Sequence, residues 1–160
     1  MDPIEKLVQD LLNDVDHDLV KLSQDVQYRI GHSKADQIGY AISDPDQREE
    51  ILRWFPIKDW DSDDLSPPAT HPVINRLLSY PLNNQDPFVL YLYTGKDPRG
   101  QSIYQRFEYN NIKSIFDVLG AIESTYNQLT DFDPFEILGD HLFFEGLVPY
   151  EDGYKIALGS

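Results

Sequence analysis

The chain has 160 residues, of which 41% are hydrophobic and 12% aromatic, a composition that supports one folded core and excludes a disordered polypeptide. Twenty-eight acidic residues against thirteen basic ones give a formal net charge of −15. This charge disfavours nucleic acid and anionic membranes as partners and favours a protein with a basic surface. Cysteine is absent, which excludes disulfides and thiolate metal sites. The first residues carry no basic segment and no long apolar run, so we expect a soluble, cytoplasmic protein.

The first predicted element is a helix over residues 3–30. Asp2, Pro3 and Glu5 form a helix-start signal, with an N-cap acid, a proline in the first turn and a Glu three residues after the cap. Apolar residues then recur at alternating steps of three and four, as on one face of a helix. The opposite face carries Asp10, Asp14, Asp18 and Asp25. Since the apolar stripe extends over about three heptads, a homodimer through this helix stays open beside packing on the chain's own core.

Two further Asp-Pro pairs predict helix starts. The first pair, at Asp44, predicts a helix that runs through Trp54 and ends at Pro56. The second pair, at Asp133, predicts a short helix that ends at Gly139.

An acidic loop over residues 59–72 is the segment that we expect to bind a partner. Its candidate contact residues are Trp60, Asp59, Asp61, Asp63 and Asp64. An exposed Trp flanked by acids suits a basic partner, because aromatic residues dominate interface energies and opposite charge speeds encounter. The alternative interpretation is that the ring belongs to the core and the acids solvate the loop. A second candidate acidic surface consists of Asp10, Asp14 and Asp18 on the first helix.

The second half of the chain changes from helical to alternating patterns. We expect helices over 72–80 and from Asn111 to Tyr126, and two β-hairpins, one with strands at 88–93 and 102–109 and one with strands at 142–148 and 154–158. The predicted fold class is therefore α+β, with N-terminal helices followed by an antiparallel sheet of two hairpins and an intervening helix. We expect one domain over residues 1–160, helical to about residue 82 and α+β from residue 83.

Motifs for phosphate and calcium fail at key positions. Gly95 and Gly100 have the spacing of a phosphate-binding loop, but Gln101 stands where a Lys is required and a strand pattern follows. The loop aspartates have the spacing of a calcium loop, but Asp64 and Thr70 stand where Gly and Glu are needed. The first segment is predicted to be a hairpin turn and the second a solvated loop.

Catalytic and metal-binding residues are also not predicted. The four histidines are scattered, and no pair has metal-ligand spacing. Glu108 and Glu145 are the two carboxylates with mostly aromatic neighbours, yet strand alternation directs both to solvent. We therefore expect no catalytic residue, no metal and no cofactor.

Charge is the one global anomaly that remains, and it is most unbalanced over 114–160, where nine acids accompany Lys155 as the only base. The prediction is an acidic, non-catalytic protein-binding module, such as an inhibitor or immunity-like protein that masks a basic surface of its partner. Two alternatives stay open. One is a small carboxylate-using enzyme, and the other is a DNA mimic with carboxylates at phosphate-like spacing.

Overall fold

The computed structural model describes residues 3–13, 19–31, 36–44, 46, 48–58, 60, 66–69, 71–83, 86–128 and 139–159. In these ranges the helices are α1 (Pro3–Asn13), α2 (Leu19–Gln24), α3 (Pro72–Leu78) and α4 (Ile115–Asn127). The strands are β1 (Val26–Arg29), β2 (Gln37–Asp44), β3 (Glu49–Pro56), β4 (Phe88–Lys96), β5 (Ser102–Tyr109), β6 (Phe143–Tyr150) and β7 (Gly153–Gly159).

The strands form one seven-stranded sheet in the order β3-β2-β1-β6-β7-β4-β5. Neighbouring strands are antiparallel except β4 and β7, which pair in parallel through Leu90 with Tyr154 and Tyr91 with Lys155. Strand β7 therefore lies between β6 and β4, although it follows both of them in the chain. The α+β class is confirmed, but the predicted sheet of two hairpins is too small, because β1, β2 and β3 extend it.

The predicted helix over 3–30 is wrong in its second half. Helix α2 ends at Gln24, and β1 begins at Val26, where the burial alternates with a period of two. The apolar stripe is nevertheless buried in this chain's own core, at Val8, Leu12, Leu19, Leu22 and Val26. A homodimer through this segment would need the stripe at the surface, so the structure contradicts that interpretation.

The predicted helix from Asp44 to Trp54 is also wrong. Strands β2 and β3 form an antiparallel hairpin over these residues, and their core-facing pairs include Ile38 with Phe55. Arg48, at the turn, has a φ of 54°, a left-handed conformation that no helix interior uses. Asp-Pro is a turn signal as well as a helix-start signal, and here the turn forms. The expectation that residues 1–82 are helical fails for the same reason.

The second-half elements agree with the sequence. Strands β4 and β5 form the first predicted hairpin, and β6 and β7 form the second. Helix α3 confirms the predicted helix near 72–80. Helix α4 is confirmed, but its N-cap is Ser114, whose hydroxyl accepts from the Asp117 N–H at 3.2 Å, rather than Asn111. The helix predicted after Asp133 falls largely outside the described residues.

The core lies on one face of the sheet. Helix α1 contacts β3, α2 contacts β6 and α4 contacts β4. Between them and the strands lie large buried side chains that include Tyr28, Tyr40 and Phe144. The alternate strand residues point to the opposite side, which we call the open face because exposed Trp54 and Val148 lie there.

Helix α2 is held against β6 at a β-bulge. The buried Ser23 hydroxyl donates to the Val20 carbonyl at 2.9 Å and accepts the Leu147 N–H at 3.2 Å. Gly146, in the bulge, has a φ of 127°, and a Cβ on it would lie 2.7 Å from the Gln24 Cα. The bulge and the missing side chain together let the helix backbone approach the strand.

Candidate functional site

Trp60, the predicted exposed anchor, is a core residue. It is only 7% exposed, and its ring lies 5.7 Å from the Tyr28 ring and 6.3 Å from the Phe116 ring, centroid to centroid. The Trp60 side chain therefore points into the core, where it lies between β1 and α4. The prediction of Trp60 as an exposed contact residue is therefore wrong, and the alternative, core interpretation is confirmed.

Of the other predicted contact residues, only Asp10 is among the residues that the structure describes. Asp10 is exposed on α1. Asp14, Asp18, Asp59, Asp61, Asp63 and Asp64 lie outside the described residues. Their role in binding stays a prediction.

Trp54, and not Trp60, is the tryptophan that lies exposed at the surface. It is 37% exposed on the open face, and its ring lies against the backbone of Gly39, its cross-strand neighbour. A Cβ on Gly39 would approach this ring to 3.0 Å, so glycine is what lets the indole lie flat on the sheet. Phe143 packs edge-on at 6.5 Å, and Leu52 is exposed two residues before Trp54 on β3. We call Leu52, Trp54 and Phe143 the Trp54 surface.

Charges of both signs flank the Trp54 surface. Glu49 and Glu50 are exposed at the start of β3. Arg29 is the cross-strand neighbour of Phe143, whereas Arg53 precedes Trp54 but lies on the other face of β3, opposite Tyr40. Glu50, on the Trp54 face of β3, and Arg29 are of opposite sign, so we expect a preference for a basic partner to come mainly from the net charge of the whole chain, −15, acting over a longer range.

A row of tyrosine rings covers the other half of the open face. Tyr93 contacts Tyr104, Tyr104 contacts Tyr150 and Tyr150 contacts Tyr91, with ring centroids 6.0, 5.4 and 4.9 Å apart. These residues come from β4, β5 and β6, so the sheet brings three separate segments into one aromatic surface. We call them the tyrosine row.

An ion-pair network borders the tyrosine row. The Arg106 guanidinium bonds Asp152 at 2.6 Å and Glu108 at 2.5 Å, and the Tyr91 hydroxyl donates to Asp152. The hydrogen bond from Arg106, followed by that from Tyr91, lowers the pKa of Asp152 to about 2. Both acids are exposed, and each forms an ion pair with Arg106. The prediction that strand alternation directs Glu108 and Glu145 to solvent is confirmed.

Lys155 lies at the centre of the tyrosine row. Its Nζ is 5.0 Å from the Tyr104 ring centroid and 4.8 Å from that of Tyr150, a cation–π arrangement. No acid that the structure describes lies within ion-pair distance of this ammonium. Beside it is a groove with a volume of about 430 Å³. The groove is lined by Tyr93, Tyr104, His141, Val148, Lys155, Ile156, Ala157 and Leu158, and we call it the Lys155 groove.

Glu123 is the one buried acid among the described residues, and its surroundings give it a structural role. Both carboxylate oxygens accept the Gly31 N–H, at 3.0 and 3.1 Å, which satisfies the backbone just after β1. Burial, together with the charge of Glu123, raises the pKa of Tyr28. Within the described ranges, no three His, Asp or Glu side chains are grouped so that they could hold a metal ion.

The fold and its surfaces define a class of protein: an α+β protein whose seven-stranded sheet carries a helical layer on one face and exposed aromatic residues on the other. No protein-family model, curated protein or solved structure matches the chain. In the part of the chain that the structure describes, none of the helices has the length and apolar character needed to cross a bilayer.

Sequence reasoning missed Trp54 and the tyrosine row for different reasons. The predicted helix placed Trp54 in the core, whereas a period of two over β3 puts Leu52 and Trp54 on one face. Tyr91 and Tyr93 are two residues apart in a correctly predicted strand, so the sequence alone could have predicted that they share one face of the sheet. Lys155 stood out in the sequence only as the one base of residues 114–160, and it was not predicted to be a site residue.

Proposed function

We propose that the protein is a non-catalytic module that binds a protein with a basic surface and thereby masks that surface. The observation that carries the proposal is the exposure of Trp54, on an open sheet face, in a molecule of net charge −15. The contact centre is the Trp54 surface rather than the loop at 59–72.

Attraction and anchoring are supplied by different features. The net charge raises the rate of encounter with a basic protein and is screened over about 8 Å at physiological salt. The Trp54 surface supplies short-range affinity, because an aromatic ring in an interface can bury about 150–250 Å². Trp is also enriched among the residues whose truncation costs the most binding energy.

The position of β3 supports the same contact centre. This strand is at one end of the sheet, so among the described residues one side of its backbone has no neighbouring strand. Unpaired N–H and C=O groups at a sheet edge accept an added strand from a partner. A partner that reaches Trp54 can therefore also contact the β3 edge.

The test is affinity capture by the immobilised chain from an extract of its own organism, with elution by increasing salt. Three baits are compared, namely the wild-type chain, Trp54→Ala and the control Ile103→Ala. Ile103 is an exposed apolar residue on β5, at the opposite edge of the sheet, so its truncation is a matched loss of exposed apolar area. Captured proteins are identified by mass spectrometry and purified, and their Kd values are then measured.

The proposal predicts a basic protein that elutes at moderate salt, binds wild type and Ile103→Ala equally, and binds Trp54→Ala at least tenfold more weakly. An acidic or neutral partner, or equal binding to all three baits, contradicts it. Competition by duplex DNA for the same partner would favour the DNA-mimic alternative. Catalytic turnover of a captured ligand would favour the enzyme alternative.

A further inference from the structure

We propose that the Lys155 groove binds a small organic carboxylate with an apolar body. The groove and the Trp54 surface both reach β6, through Val148 and Phe143 respectively, but they have no residue in common. The proposal therefore does not depend on the protein partner, and it can fail or succeed independently of it.

The charge of Lys155 is the first argument. This residue is the only base over 114–160, a segment with nine acids, yet none of the described acids neutralises it. The nearby acids Glu108 and Asp152 are bound instead by Arg106. The ammonium thus keeps its three hydrogen-bond donors for a ligand.

The aromatic rings around Lys155 are the second argument. Tyr104 and Tyr150 hold the ammonium through their π faces, which orient a cation without taking its donors. Tyr93 and Tyr104 also line the groove, and their hydroxyls have no hydrogen-bond partner among the described residues. A carboxylate at Lys155 could therefore accept bonds from an ammonium and from phenol groups.

The rest of the groove selects the apolar body. Val148 and Ala157 are on the open face with Lys155, and they contribute apolar surface between the tyrosines and His141. A volume of about 430 Å³ lies within the range of about 300–1,000 Å³ that is usual for small-ligand sites. A lone phosphate would leave the apolar lining exposed, whereas an acid with an aliphatic or aromatic body covers it.

The test is a titration of the full chain with 3-phenylpropionate, in which binding is monitored by two-dimensional ¹H–¹⁵N NMR. The neutral amide of the same compound is the ligand control. Lys155→Met removes the charge and keeps most of the side-chain length, and Lys113→Met is the matched control at an exposed lysine outside the groove. The dispersion of each NMR spectrum verifies that each variant is folded.

The acid is expected to shift resonances of β6 and β7 and to bind at least about tenfold more tightly than the amide, the effect of one charge-assisted hydrogen bond. Lys155→Met should remove this preference, and Lys113→Met should keep it. Equal binding of acid and amide, a preference that survives Lys155→Met, or no shifts up to millimolar acid would overturn the proposal. Binding of an apolar peptide through its free C-terminal carboxylate, with no binding of 3-phenylpropionate, would also overturn it, because the groove would then recognise a chain end.

Discussion

The two tryptophans should differ sharply in their contribution to stability, and this contrast tests the exchange of roles between Trp54 and Trp60. Truncation of Trp60 to Ala leaves a cavity beside Tyr28 and Phe116, and such core substitutions cost about 3–5 kcal/mol. The two residues differ in exposure by about 30%. For a ring of about 250 Å² this is about 75 Å², or about 2 kcal/mol at 25 cal/mol per Å². Trp54→Ala should therefore cost about 2 kcal/mol less than Trp60→Ala.

Urea unfolding measures this difference directly. With a slope of about 2 kcal/mol per molar urea, the two midpoints should be separated by about 1 M, with Trp60→Ala the lower. A second measurement does not depend on the Ala variants being stable. The chain has two tryptophans, so Trp54→Phe and Trp60→Phe each leave one emitter. Iodide should quench Trp54 much more strongly than Trp60, and Trp60 should emit at the shorter wavelength.

Equal midpoints for the two Ala variants would refute the assignment of Trp60 to the core and Trp54 to the surface. Stronger quenching of Trp60 than of Trp54 would refute it as well, and would restore the loop at 59–72 as the contact centre.

Three further predictions concern packing and ionisation. Gly146→Ala should lower the free energy of unfolding by about 1–3 kcal/mol, because Gly146 has a positive φ and the backbone of α2 lies close to its Cα. Urea denaturation measures this change, and an unchanged midpoint would contradict the tight docking of α2. The pKa of Asp152, about 2, should rise towards its usual value in Arg106→Met, as followed by ¹³C NMR of the carboxyl group. Because that pKa is lowered, the stabilisation from this contact is present above about pH 4 and is lost as the pH falls towards 2. Burial raises the pKa values of Tyr28 and Tyr40, so the folded protein should lose stability as the pH rises above about 10, and two tyrosines should fail to ionise in a spectroscopic titration until the chain unfolds.

Local sequence patterns predicted the second half of the fold better than the first. The hairpin of β4 and β5 has a continuous apolar strand, a turn centred on Asp97 and an alternating partner strand, so all of its information is within 22 residues. The turn is also local, since the Asp97 carboxylate accepts the N–H groups of Arg99 and Gln101, both at 2.9 Å. In this hairpin the period of the pattern and the turn signal together were enough for the prediction.

The first half contains one strand with a distant partner and one hairpin whose sequence also fits a helix. Strand β1 pairs with β6, more than a hundred residues away, through Tyr28 with Phe144. The tract from Glu49 to Phe55 contains good helix formers, but pairing with β2 outweighs that propensity. The exposed position of Trp54 follows from this pairing, and so it could not be obtained without the sheet.

The candidate site was only partly accessible from the sequence. Net charge and the isolation of Lys155 among acids are properties of composition, and they could be recognised at once. The groove beside Lys155 needs Tyr93 and Tyr104 from one hairpin and Val148 from the other, which meet only because β4 pairs with β7.

The placement of β7 also bears on how the molecule assembles during synthesis. Within the described residues, the β4–β5 hairpin joins the other strands only through β7. The sheet therefore stays in two separate parts until residues 153–159 leave the ribosome, and the nascent chain exposes unpaired strand edges at β4 and β6 throughout that time. A truncation before Gly153 would leave both edges open for good, and we would expect such a product to aggregate rather than to persist as a smaller folded form.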